Sequence, residues 1–253
     1  MPDQGMKDFR AELHVHTVLS ACAEIEMLPP LIVEEALAKG IDVIAITDHN
    51  TTGNVAAVQR AALGINLTVL PGMELQTREE VHVLCLFDTL DQAEAFQAVV
   101  DQHLPDRLNQ PDYFGDQLFV DEAGEFLRYE NRLLATSADL SLNEAWQQVD
   151  RLGGLFIPAH VDRRANGLLF NLGFVPVDIP VEAVEISVHL DPAKADQVYR
   201  ALKGFPLLQS GDVHHLDDFL GSTWFRLHAV TIAEMRMAIR GENGRSLQIK
   251  PAL

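Results

Sequence analysis

Two of the 253 residues are cysteine and five are lysine, and no apolar run approaches the ~18 residues a membrane span requires. Cys22 and Cys85 are too few and too far apart to form a disulfide framework, so a reducing, cytoplasmic compartment is expected. The opening MPDQGMKDFR holds no apolar run, which argues against a secretory signal. Basic charge is also scarce: 19 Lys and Arg stand against 37 Asp and Glu, a net charge of −18. An acidic surface of this size repels phosphate backbones, so neither long nucleic acid nor a membrane is expected as a partner. The acidity has two readings. It is a solvated surface, or it is partly offset by bound cations, three divalent ions bringing about +6.

Other proportions are ordinary. Hydrophobic residues make up 47% and charged residues 22%, a balance that supports a sizeable core. Short apolar runs at 11–15, 43–47, 67–70, 81–87, 155–158, 183–188 and 207–209 read as strands. Between them, 29–39, 54–63, 91–103, 142–152 and 192–202 carry helical patterns. Ser141 with Glu144 three residues on is a capping box, and Gly40 and Gly204 close their helices. Strand–helix alternation argues for parallel βαβ units in one α/β domain over 1–253. The polar segment 104–136 breaks the rhythm and holds a hairpin pattern at 117–129. It reads as an insertion on one face.

The ten histidines are the informative feature. His14 and His16 lie two apart at the end of the first strand and project to one side. His49 follows the second strand in Thr-Asp-His-Asn, and Glu74 follows the third in Pro-Gly-Met-Glu. His82 lies in Val-His-Val, His160 ends Ile-Pro-Ala-His, and Asp212 and His214 follow the last strand. In a parallel α/β barrel the C-terminal strand ends converge on one face, where such folds build active sites. A lone histidine at a strand end is more often a hydrogen-bonded core or surface residue, but independent placement seldom yields this joint pattern. Imidazole and carboxylate without thiolate suit zinc, manganese or iron rather than a structural cysteine site.

These strings resemble the PHP (polymerase and histidinol phosphatase) domain family: Glu-Leu-His14-Val-His16-Thr, Thr-Asp48-His49-Asn, Pro-Gly-Met-Glu74, the His82 strand, Pro-Ala-His160 and Gly-Asp212-Val-His214. Glu24, eight residues beyond His16, fills the place of an acidic residue the family uses there. The resemblance covers nearly the whole chain. It implies a distorted seven-stranded (β/α) TIM-like barrel with two to three divalent metal ions (Mn, Zn or Fe) at its mouth. By matching motifs, His14, His16, Glu74 and Asp212 hold the first ion. Glu74 bridges to a second held by His82 and His160, and Glu24, His49 and His214 hold the third. The implied activity is hydrolysis of a small phosphomonoester or nucleotide by a metal-activated hydroxide. The alternatives are an exonuclease trimming short oligonucleotides, an amide or lactone hydrolase, and a non-catalytic metal-binding sensor of a phosphorylated ligand.

Several neighbours have two readings each. Arg163 and Arg164 bind a substrate phosphate, where a guanidinium can grip two oxygens, or form a surface pair. Asp48 orients a ligand or caps a turn. His215 or His189 protonates a leaving group, or neither does. Cys22 is a soft extra ligand or an inert thiol. His103 and His228 carry no signal.

Overall fold

The first strand shows how the sequence builds the centre of the molecule. Along β1 (Lys7–Val15) successive side chains alternate sides. Ala11, Leu13 and Val15 face one way, Glu12 and His14 the other with His16 beyond them, and all are buried. In the computed structural model residues 5–250 are described, so the outermost ends of the expected 1–253 domain lie outside them. The remaining strands are β2 (Val43–Ile46), β3 (Thr68–Gln76), β4 (His82–Leu86), β5 (Leu118–Val120), β6 (Phe126–Tyr129), β7 (Leu155–Pro158), β8 (Val184–Ile186), β9 (Leu207–Gln209), β10 (Thr223–Leu227) and β11 (Ser246–Ile249). Seven form one curled sheet in the order β11-β10-β1-β2-β3-β4-β7, while β5–β6 and β8–β9 form separate pairs. The chain beyond β9 returns to β1 through a parallel bridge between Val15 and Val213, which brings the ends of β1 and β9 together.

The helices are α1 (Pro29–Ala38), α2 (Val55–Ala61), α3 (Leu90–His103), α4 (Pro111–Phe114), α5 (Leu142–Arg151), α6 (Leu168–Asn171), α7 (Ala195–Val198) and α8 (Ile232–Ile239). The expected capping box opens α5: Ser141 Oγ accepts from Glu144 N–H, and Glu144 reaches back to Ser141 N–H. Thr89 and Gln92 do the same for α3. Phe87 and Phe96 pack with ring centroids 5.6 Å apart beneath α3 and α5. Each such buried ring contributes about 1.5–3 kcal/mol.

The α/β class is as expected, but the all-parallel arrangement is not. β4 pairs antiparallel with both β3 and β7. The physical reason is connection length. A parallel crossover needs a dozen or more residues, whereas only residues 77–81 separate β3 from β4, so the chain must turn back as a hairpin. One consequence matters for the site: the start of β4, not its end, lies at the C-terminal end of β3. The helix expected at 192–202 is broken into α7 and two flanking 3₁₀ turns. Within 104–136 the hairpin pattern at 117–129 is realised as β5 and β6. Among the described residues no helix is long and apolar enough to cross a membrane.

Candidate metal centre

Eight of the nine side chains expected to bind metal converge where the strands end, and Glu74 is their hub. It lies on β3, completely buried. Its Oε1 stands 2.7 Å from His82 Nδ1, 3.0 Å from His160 Nε2 and 3.2 Å from His14 Nε2. Its Oε2 stands 2.8 Å from His49 Nδ1 and 3.4 Å from His16 Nε2. Asp212 closes the other side, with Oδ1 3.1 Å from His14 Nε2 and 3.3 Å from His16 Nε2. His82 reaches Glu74 because the antiparallel turn places the start of β4 at this mouth.

Three sets of ligand atoms lie within 4.8 Å of one another: His14, His16, Glu74 and Asp212; His49, Glu74 and His82; and His16, His49 and His214. Buried polar atoms are normally hydrogen-bonded. Here Nε2 of His14 and of His16, Oε2 of Glu74 and Oδ1 of Asp212 are buried and make no hydrogen bond. Lone pairs that converge without donors are the arrangement divalent cations fill, and nitrogen with carboxylate oxygen is a donor set they accept. The residues present fit such ions.

The carboxylates are held in the ionised form that a cation requires, while the histidines divide. Burial opposes an ionised Glu74, but His82, His14 and His49 outweigh it and hold its pKa well below the usual carboxylate range. Burial likewise opposes charge on Asp212, and His14 and His16 again keep it ionised. For His14 burial is outweighed by Asp212, Glu74 and Glu185, and its pKa rises. For His16 burial and the neighbouring His214 and His49 act together and depress it, which keeps the ring neutral. Burial also pulls His82 down, against the attraction of Glu74.

Residues behind the ligands fix which ring nitrogen faces the cluster. Asp48 is buried and accepts from Thr17 N–H, Thr17 Oγ–H and Ser20 Oγ–H, each at 2.7 Å. With its proton committed to Asp48, Ser20 Oγ accepts from His16 Nδ1–H at 2.9 Å, leaving His16 Nε2 as a lone pair. Asp48 thus reaches His16 through Ser20. His14 Nδ1–H donates to Glu185 Oε2 at 2.9 Å, and His160 N–H donates to the same oxygen at 3.1 Å. Glu12 accepts from Gly211, Leu220 and Gly221 N–H at 2.7–2.8 Å, tying down the loop that carries Asp212 and His214. Burial lifts its pKa to about 7 against the pull of those donors.

Glu185, Glu12, Ser20 and Thr17 are not found by a search for ligands at strand ends. A usable signal exists for the two glutamates, since each interrupts an apolar strand, and a buried carboxylate needs partners. Asn50 was within reach in Thr-Asp-His-Asn. Its Nδ2 donates to Leu134 O and Thr136 O, both at 2.7 Å, and binds the end of the 104–136 segment to the mouth.

Other expected residues fall outside the cluster. The Glu24 side chain is 54% exposed, and its carboxylate lies 3.9 Å from His215 Nδ1, itself 52% exposed. The reason is local: hydrogen bonds from Ala23 N–H to Ser20 O and from Met27 N–H to Glu24 O fold this loop into turns. Those turns bury Met27 and leave Glu24, Ile25 and Glu26 outside. Cys22 is also an exposed residue, but its Sγ stands 3.1 Å from His214 Nε2. Burial opposes its ionisation, yet the charge of His49 and hydrogen bonds with His214 and His49 bring the thiol down to about 6. Arg163 is half-buried and pairs with Asp212 Oδ2, while Arg164 and His189 are exposed. His103 Nδ1 donates to Val99 O within α3, away from the cluster.

Known proteins share this fold. The Bacillus subtilis protein YqxK is 24% identical over 275 residues, a match covering 96% of this chain and 64% of YqxK. Among solved structures, the lesion-specific endonuclease Q of Pyrococcus furiosus superposes with a TM-score of 0.73 at 21% identity, covering 95% of this chain and 58% of that one. The chain thus spans less than two thirds of either relative. Endonuclease Q has also been solved with a 27-mer duplex whose abasic lesion sits at the active site (TM-score 0.72, 20% identity, coverage 95% and 58%). That complex overturns the expectation, drawn from net charge, that long nucleic acid is no partner for such a domain. Net charge is a sum over the surface, whereas a nucleic acid meets only the charges around one mouth. The sequence matches the PHP domain over residues 12–156, more than half its length, and the chain belongs to the PHP domain family.

Proposed function

We propose that the chain is a metal-dependent hydrolase that cleaves a small phosphomonoester or a nucleotide. The observation that supports this reading is Glu74, whose two oxygens are shared among five histidines in a buried cluster of unpartnered donor atoms. His14, His16, Glu74 and Asp212 would hold one ion, Glu74, His82 and His160 a second, and His49 with His214 a third. Bound there, divalent ions supply Lewis acidity toward a phosphoryl oxygen and lower the pKa of an attacking water.

The chain's own side chains do the positioning. Ser20 and Asp48 hold His16 in one tautomer, and Glu185 holds His14. The guanidinium of Arg163, already at Asp212 on the open side of the cluster, grips the phosphate oxygens in a bidentate fashion. Charge that develops on those oxygens is stabilised from both sides.

A second reading is cleavage of a phosphodiester within nucleic acid, favoured by the likeness in fold to endonuclease Q holding its duplex. One assay decides among these. The protein is reconstituted with manganese or zinc and offered nucleoside monophosphates, histidinol phosphate, cyclic nucleotides, single-stranded oligonucleotides and duplexes with and without an abasic site. Turnover of the monophosphates supports the first reading, and turnover confined to the polymers supports the second. Metal uptake with no turnover of any substrate overturns both. Activity surviving in His14→Ala or Asp212→Ala would show that the ligand assignment is wrong.

A further inference from the structure

The motif pattern gives the third ion to Glu24, His49 and His214, but the loop after β1 presents a different atom. The turns at Ser20–Ala23 and Glu24–Met27 point the Glu24 carboxylate outward, where it is 54% exposed. The Glu24 backbone is itself tied down, because its N–H donates to His214 O at 2.9 Å. That bond brings the two loops side by side and sets Cys22 Sγ 3.1 Å from His214 Nε2.

A cysteine near one histidine is not a site. Here, however, His214 belongs to a set with His16 and His49 whose ligand nitrogens lie within 4.8 Å of one another. The rings are close, His16 to His214 at 4.1 Å and His16 to His49 at 4.6 Å between centroids. Within that set His16 is fully buried, and its Nε2 has no hydrogen-bond partner while its Nδ1 is committed to Ser20. A completely buried nitrogen with a free lone pair thus lies within 4.8 Å of the ligand nitrogen of His214, and Cys22 reaches the same ring at 3.1 Å.

We infer that Cys22, not Glu24, completes the third metal position, which becomes a mixed nitrogen–sulfur site suited to zinc or ferrous iron. This rests on the metal-dependent reading above. Thiolate is a soft donor and, with imidazole, selects zinc and iron over manganese or magnesium, which favour oxygen. On coordination the S–H bond is replaced by a metal–sulfur bond, and one proton passes to solvent.

Cobalt(II) reports the bond directly, because a thiolate ligand gives a near-ultraviolet sulfur-to-cobalt charge-transfer band that carboxylate and imidazole ligands lack. The full chain is loaded with cobalt as wild type, Cys22→Ser, Glu24→Gln and Cys85→Ser, with metal content measured in each. Wild type, Glu24→Gln and Cys85→Ser are expected to show the band with equal metal content. Cys22→Ser is expected to lose the band and one ion per chain, and Cys22→Asp to regain the ion without the band. A metal-replete wild type with no band, or a band that persists in Cys22→Ser, overturns the assignment to Cys22 while leaving the hydrolase reading intact. So does loss of the ion in Glu24→Gln with retention in Cys22→Ser. A wild type that takes up no cobalt overturns the metal-dependent reading as well.

Discussion

Glu185 offers the cleanest probe of how far the cluster depends on residues that touch no ligand-binding lone pair. Its Oε2 alone accepts both His14 Nδ1–H at 2.9 Å and His160 N–H at 3.1 Å, and the side chain is 2% exposed. Glutamine at this position keeps an acceptor oxygen for both donors, removes the negative charge and sets an NH₂ where Oε1 is buried without a partner. Alanine removes both bonds and leaves a buried imidazole N–H unpartnered. Outer partners of metal-binding histidines contribute ~10- to ~100-fold in affinity, or ~1.4 to ~2.8 kcal/mol. Glu185→Gln should therefore sit near the lower figure and Glu185→Ala near the upper. The assay is competition for zinc against a chromogenic chelator, with kcat and KM then measured at saturating metal. Activity in the glutamine variant should recover with excess metal. If Glu185→Ala binds zinc as tightly as the wild type, His14 is not held by this carboxylate and the reasoning fails.

Gly167 lies where an added Cβ would stand 2.1 Å from Arg163 O. Gly167→Ala should displace the loop that carries Arg163 and lower kcat/KM by up to ~100-fold with unchanged metal content; unaltered kinetics would remove Arg163 from the site. Glu234 is held down to about 2, chiefly by its hydrogen bonds with Arg245. Its folded pKa lies below the ordinary 4.5, so its stabilisation is present above that value and is lost as pH falls toward about 2. Glu234→Gln should lower stability at neutral pH by about 0.5–1 kcal/mol and flatten the melting temperature across that acid window; an unchanged acid slope counts against it. Chelation should lower the melting temperature, since a ligand at 100 times its Kd adds ~2.7 kcal/mol. Differential scanning fluorimetry with and without chelator checks this, and identical curves would mean that folding and metal binding are not coupled.

How much of this was legible in the letters depended on whether a strand or a turn carried the residue. Within β1 the period of two fixes the faces, so His14 and His16 could be placed together from spacing alone. Glu74, His49, His160 and Asp212 follow from strand ends meeting at one mouth. Glu24 does not, because whether a side chain nine residues past a strand points in or out is set by turn hydrogen bonds such as Met27 N–H to Glu24 O. Cys22, six residues beyond His16 rather than eight, is the one whose side chain stands beside His214. The C-terminal β10, α8 and β11 were not anticipated from the letters, although one signal was there to find. Thr231 accepts from Glu234 N–H to open α8, a start signal of the same kind as Ser141 and Glu144. The antiparallel β4 could have been inferred from the short link to β3.

Backbone strain and the two buried glutamates belong to one device. Asn50, His160 and Asp212, all just beyond strand ends at the mouth, have φ of 53°, 28° and 53°, a region that costs a non-glycine residue ~1–3 kcal/mol and persists only where surroundings enforce it. Glu185 holds His160 by its N–H, and Glu12 holds Gly211, next to Asp212, in the same way. The two clamps differ in a testable respect. Glu185 uses one oxygen for both bonds, whereas Glu12 uses Oε1 for Gly211 and Oε2 for Leu220 and Gly221. A glutamine at position 12 must therefore turn its NH₂ toward at least one backbone N–H, whichever way the amide lies. An unpartnered buried donor costs ~1–3 kcal/mol, so Glu12→Gln should destabilise by at least that much and release Asp212, lowering metal affinity as well. Glu185→Gln, the same substitution on the neighbouring clamp, keeps both backbone and ring N–H bonds and leaves only its own NH₂ unpartnered, where Oε1 already lacks a partner, so it should lower the melting temperature of the metal-free protein by less. Thermal melts of both variants without metal decide the matter: equal losses would mean that the strained ligands are held by something other than these two carboxylates.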